Sequence, residues 1–93
     1  MILKGVQYMI YCANNNTLYR RAADVCADLG LDKAQVSKHL AGTRKTVGSY
    51  VLTRITDTTP EAVKAVRTWL LYSTFKIVLD VSDEPHIYEK EGD

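Results

Sequence analysis

Long apolar runs are missing from this chain of 93 residues. None approaches the ~20 residues that a bilayer-crossing helix needs. The opening MILKGVQYMIYC is broken by Gly5 and Gln7, and no small-residue cleavage site follows it, so it does not read as a signal peptide. Cysteine is scarce too. Cys12 and Cys26 lie in separate apolar stretches and read as free thiols in a reducing cytoplasm rather than as a disulfide. Together with His39 and His86 they lack the paired spacing of a zinc site. Walker loops and nucleophile elbows are also missing. Asp24, Asp28 and Asp32 run down one helix and its cap with no base or nucleophile to match, and read as solvated carboxylates. Without a catalytic set, the chain is expected to be a binding protein rather than an enzyme, with no metal or cofactor.

Charge is nearly balanced overall, at +1, but it is unevenly placed. Residues 18–55 carry Arg20, Arg21, Lys33, Lys38, Arg44, Lys45 and Arg54 against three aspartates, a net +4. Residues 56–93 carry four basic and eight acidic side chains, a net −4. Such a split implies a polyanion-facing middle and a solvating end.

Local patterns supply the elements. Residues 2–12 alternate imperfectly and favour a strand through their Ile and Tyr content, although Ile2, Val6 and Ile10 also share helical spacing. Asn14, Asn15 and Asn16 make a turn. Arg20 to Leu29 reads as a helix with an apolar stripe of Ala22, Val25, Cys26 and Leu29, ended by Gly30 in a left-handed cap. Asp32 and Gln35 have capping-box spacing for a second helix, with Ala34, Val36, Leu40 and Ala41 as its small and apolar positions and Gly42 as its stop. A Gly48-Ser49 turn then leads into a strand in which Tyr50, Leu52 and Arg54 alternate. Thr59 and Pro60 open the longest helix, whose expected stripe is Ala62, Val63, Val66, Trp69 and Leu70. FKIVLDV reads as a short strand, and residues 82–93 as an acidic tail, mobile except at Ile87 and Tyr88.

The constraints between Asp24 and Leu40 are the sharpest in the chain. A small residue, Cys26, stands four before Gly30; Leu29 and Leu31 flank the glycine; Val36 follows six later. That order suits two helices crossing steeply around a short turn. The stretch DVCADLGLDKAQVSKHL resembles the helix-turn-helix of the lac repressor and Cro families. With Gly42, TRKT, Gly48 and Tyr50 after it, the region from Gln7 to Ile55 is also similar to the modular DNA-binding repeat of phage and intron homing endonucleases. Two departures stand out: His39 occupies a position that is usually apolar, and Ser49 separates the glycine from the tyrosine. The nuclease part of those enzymes has no counterpart.

Together with the elements read beyond Ile55, for which no resemblance is found, the resemblance implies an α+β fold: a helix-turn-helix core, a small antiparallel sheet and one longer C-terminal helix, forming a single domain over 1–81. It places Lys33, Ala34, Ser37 and Lys38 toward base edges in the major groove. It places Arg44, Lys45 and Thr46, together with Arg20 and Arg21, near phosphates. The expected function is that of a small sequence-specific double-stranded DNA-binding protein, a phage- or prophage-type transcriptional regulator. Such proteins gain specificity by pairing on a palindrome, and the helix from Pro60 is the candidate homodimer contact, with Leu71, Tyr72 and Phe75 projecting from its other sides. The alternative is an accessory or host-takeover protein that binds another protein and keeps the helix-turn-helix as scaffold.

Overall fold

Three consecutive asparagines organise one end of the sheet. The computed structural model describes residues 9–77 and 83–89. In it, β1 (Met9–Cys12) turns through Asn14–Asn16 into β2 (Thr17–Tyr19), with Asn16 in the left-handed region at φ 55°. Each asparagine makes a different tie. The Asn14 carboxamide accepts from the Val51 N–H at 2.8 Å, and Asn15 donates to the Tyr19 hydroxyl at 2.9 Å. Asn16 accepts from the Tyr11 hydroxyl at 2.6 Å and donates to the Glu84 carbonyl at 3.1 Å. The expected turn thereby also fastens four segments of the chain.

The remaining elements are α1 (Ala22–Leu29), α2 (Lys33–Leu40), β3 (Leu52–Ile55), α3 (Pro60–Phe75) and β4 (His86–Ile87). The fold is α+β. Its sheet runs β3-β1-β2-β4, antiparallel between β1 and both its neighbours but parallel between β2 and β4. The sheet is therefore mixed rather than antiparallel, because a segment of the expected mobile tail adds itself to the β2 edge. Tyr88 follows it, donating its N–H to Leu18 at 2.8 Å and stacking on Tyr19 with ring centroids 5.2 Å apart. His86 to Tyr88, in the expected tail, thus join the sheet.

Strand alternation divides the core in two. Tyr11, Ala13, Leu18, Val51 and Ile55 face α3 and pack on Val63, Leu70 and Leu71. Ile10, Cys12, Tyr19 and Leu52 face the other way and pack on Val25, Val36 and Val47 beneath α1 and α2. Cys12 and Cys26 both belong to this second cluster as free thiols, and burial pushes the Cys12 thiol up.

Several expectations need correction. The helix α1 starts at Ala22, since Arg21 keeps an extended backbone at φ −141° and ψ 159°. Thr59 stands at the start of α3 but makes no side-chain cap; its N–H and hydroxyl both donate to Asp57, which holds that carboxyl below its usual range. The buried side of α3 is rotated from the expected stripe. Leu71 is 4% exposed and belongs to the core, whereas Trp69 is 66% exposed. Phe75 ends α3 instead of opening a strand, and Lys76 caps it in the left-handed region. Residues 78–81 of that expected strand, and residues 2–8 of the strand expected over 2–12, whose end is β1, lie outside the described residues.

Candidate nucleic-acid interface

The pair α1–α2 is set by its turn. Gly30 takes φ 68°, a conformation that L side chains rarely hold, and its N–H donates to the Cys26 carbonyl at 2.8 Å. Asp32 then accepts from the Gln35 N–H at 3.2 Å. Only half of the capping box forms, because the Gln35 side chain accepts from Arg44 instead. Val36 is fully buried and anchors α2 to the sheet-facing cluster.

That anchoring decides what α2 shows to solvent. Lys33, Ala34, Ser37 and Lys38 are all exposed: Ala34 and Lys38 lie opposite Val36, Ser37 lies to its side, and Lys33 is exposed at the first position of the helix. Arg44 and Lys45 in the following loop are exposed and Thr46 is half-buried. The Arg44–Gln35 hydrogen bond brings this loop's guanidinium alongside α2. Arg20 and Arg21 are exposed between β2 and α1, but Arg21 turns onto Asp24, which is buried, at 3.4 Å. None of the described contacts joins these two arginines to α2.

The aspartates of this region each have a partner in the fold, but only Asp24 is buried; Asp28 and Asp32 stay exposed, as expected. Asp24 pairs with Arg21, Asp28 accepts from the Tyr19 hydroxyl at 2.6 Å, and Asp32 caps α2. Among the described residues, Arg20, Lys33, Lys38, Arg44, Lys45 and Arg54 make no ion pair with a carboxylate. The exposed cations of this region therefore outnumber its exposed aspartates, Asp28 and Asp32.

His39 is the residue whose role the sequence misses. It is 7% exposed, with its Nε2 accepting from the Leu52 N–H at 2.8 Å and its Nδ1 2.9 Å from the Arg44 carbonyl. Because the Leu52 N–H can only donate, the Nδ1 must carry the proton and donate to Arg44. One imidazole therefore ties α2, the basic loop and the outer edge of β3 together. Its occurrence where an apolar residue belongs is the signal that could have revealed this.

The loop itself closes by a two-residue turn. Val47 and Tyr50 exchange N–H···O bonds of 2.9 and 2.8 Å around Gly48 at φ 54° and Ser49 at φ 71°. Both positive values define a type I′ turn, matched to strand twist. A β-carbon on Gly48 would come within 2.6 Å of the Leu31 side chain, so this turn seats directly on the α1–α2 turn. The register beyond it keeps Tyr50 and Leu52 on the α1–α2 side of the sheet. Alternation puts exposed Arg54 on that side too, adding a cation not assigned to the site from sequence.

Compared with family models, with curated proteins and with solved structures, the chain matches none. No described helix is long and apolar enough to cross a membrane.

Proposed function

We propose that the chain is a small double-stranded DNA-binding protein in which α1 and α2 act as a helix-turn-helix and α2 enters the major groove. The observation that carries this reading is the set of exposed cations gathered on one surface. Among the described residues, Lys33 and Lys38 on α2, with Arg44 and Lys45 beside it, make no ion pair with a carboxylate, while Asp24, Asp28 and Asp32 nearby each have a partner in the fold. Lys33, Ala34, Ser37 and Lys38 would meet base edges; Arg44, Lys45, Thr46, Arg20 and Arg54 would meet phosphates. A phage- or prophage-type regulator working in the cytoplasm is the style of protein that the resemblance supports.

Binding to mixed-sequence duplex over a range of salt tests the reading. Each phosphate contact contributes about −0.9 to the slope of log affinity against log salt. Changing Arg44 and Lys45 together to Gln should flatten that slope by about 1–2 and weaken binding to a similar degree on all sequences. A protein that passes through heparin and duplex columns at low salt would overturn it. The second reading, a protein-binding accessory, draws on the exposed Trp69 and Tyr72 of α3, on the sheet face away from α2.

A further inference from the structure

The outer side of α3 carries a pattern that its packing on the sheet does not use. At 100° per residue, Glu61, Ala65, Thr68, Trp69, Tyr72 and Lys76 share an arc of about 100° opposite the buried side. All six are exposed, with Trp69 at 66% and Tyr72 at 54%. Lys76, one residue past the helix, belongs to the stripe because its Nζ lies over the Tyr72 ring, 5.6 Å from the centroid.

This stripe is complementary to itself when reversed. Laid antiparallel against a second copy about an axis between Thr68 and Trp69, Glu61 meets Lys76 of the second copy, and Lys76 meets its Glu61. Ala65 leaves room for the second copy's Tyr72, and the two tryptophans flank the axis. A parallel alignment would set Glu61 on Glu61 and ring on ring, so charge and shape both select the antiparallel arrangement. We propose that this face of α3 is the contact between two copies of this chain. One helix pair falls below the ~1,200 Å² of standard interfaces, which makes the dimer concentration-dependent.

The pairing has a consequence that rests on the DNA-binding reading. The helices α3 and α2 lie on opposite faces of the sheet. Two copies joined back to back through α3 aim their α2 surfaces in opposite directions, and the shortest dimension of each copy is 29 Å. Such a dimer does not place two α2 helices in grooves one turn, about 34 Å, apart on one side of a duplex. It holds two duplexes, or two distant segments of one.

Sedimentation of the full chain between roughly 1 and 300 micromolar tests the pairing, a range that brackets a micromolar dissociation constant. Trp69, the single tryptophan, reports it independently through a blue shift of its emission as concentration rises. Glu61→Lys alone and Lys76→Glu alone should each weaken the dimer about tenfold, since each places like charges together twice. An equimolar mixture of these two variants should recover a heterodimer, because every pair across the axis is then again opposite in charge. Circular dichroism confirms that each variant is folded. A chain that is monomeric at the top concentration overturns the proposal, and so does a dimer that neither swap weakens. Co-capture of two differently labelled mixed-sequence duplexes tests the consequence. Loss of co-capture in Glu61→Lys, with single-duplex binding kept, supports bridging. Dimer formation with single-duplex binding and no co-capture overturns it. If no form binds duplex while the swaps behave as stated, the pairing is upheld and the DNA reading falls.

Discussion

The two faces of the sheet are held by different balances of the same forces. On the α3 side, Val63, Leu70, Leu71, Val51 and Ile55 make an apolar layer whose strength is chiefly the area removed from water, with Arg67 of α3 donating to the Ala13 carbonyl at 3.0 Å and Tyr11 to Asn16. On the α1–α2 side, a comparable cluster is supplemented by directional ties: His39 to Leu52 and Arg44, Tyr19 to Asp28, and Gly48 seated on Leu31. Apolar contact is forgiving of small rotations, whereas hydrogen bonds fix position. The face that presents α2 is therefore the face on which single substitutions should alter geometry as well as stability.

Substitutions can break this contrast. The largest effect is expected for Leu71→Ala, which removes a 4%-exposed side chain from the α3 layer and should cost about 3 kcal/mol in denaturant unfolding. Duplex binding by the fraction still folded should be unchanged. His39→Leu comes next. It fills the site but leaves the Leu52 N–H and the Arg44 carbonyl without partners, an expected loss of about 2 kcal/mol. Here duplex binding should weaken even where the protein is fully folded, because the basic loop is released from α2. Equal behaviour of these two variants, each compared at a matched folded fraction, would remove the contrast between the faces.

Gly48→Ala should follow at about 1–2 kcal/mol, since φ 54° is unfavourable for alanine and its methyl would press on Leu31. Thermal melts of this variant and of Leu31→Ala, alone and combined, would show non-additive losses if the two turns truly seat on each other. The smallest effect at neutral pH, and the one that samples both faces together, is alkaline. Burial pushes Tyr11, on the α3 side, up to about 12. Burial first, and then the bond to Asp28, pushes Tyr19 on the other side higher still. Both shifts favour the neutral phenol in the fold, so their stabilisation is intact below about pH 10 and is lost as pH rises toward the folded values. Ultraviolet titration should show two late phenols ionising together with unfolding; a separate, earlier step for one would show that its face opens alone.

The sequence is legible here wherever a single residue type answers a local backbone demand. Gly30 at a left-handed cap, Asp32 at a helix start and the Gly48-Ser49 turn could all be read because each requirement spans only a few residues. What escaped is what depends on distant partners. Thr17–Tyr19 is too short to show a period, and β4 exists only because β2 offers an edge. The rotation of α3 is hidden in the sequence because Trp69 weighs heavily in any apolar stripe, although the sheet offers its space to Leu70 and Leu71. In the candidate site, the exposure of Ala34 and Lys38 follows from helical period, and that of Lys33 from its charge and its place at the helix start. The capture of Arg44 by Gln35 and the double role of His39 did not, since both depend on where the chain returns after Gly42.

The parallel strand at the β2 edge also bears on how the chain comes together in time. The Asn16–Glu84 bond closes a separation of 68 residues, far longer than the hairpin between β1 and β2. During synthesis, β1, β2, α1, α2, β3 and α3 can all be in place while the outer edge of β2 still waits with unpaired N–H and C=O groups. Such an edge accepts any passing strand, including that of a neighbouring nascent chain. The segment that seals the sheet thus emerges after all of these elements, and Tyr88, stacking on Tyr19, is the latch.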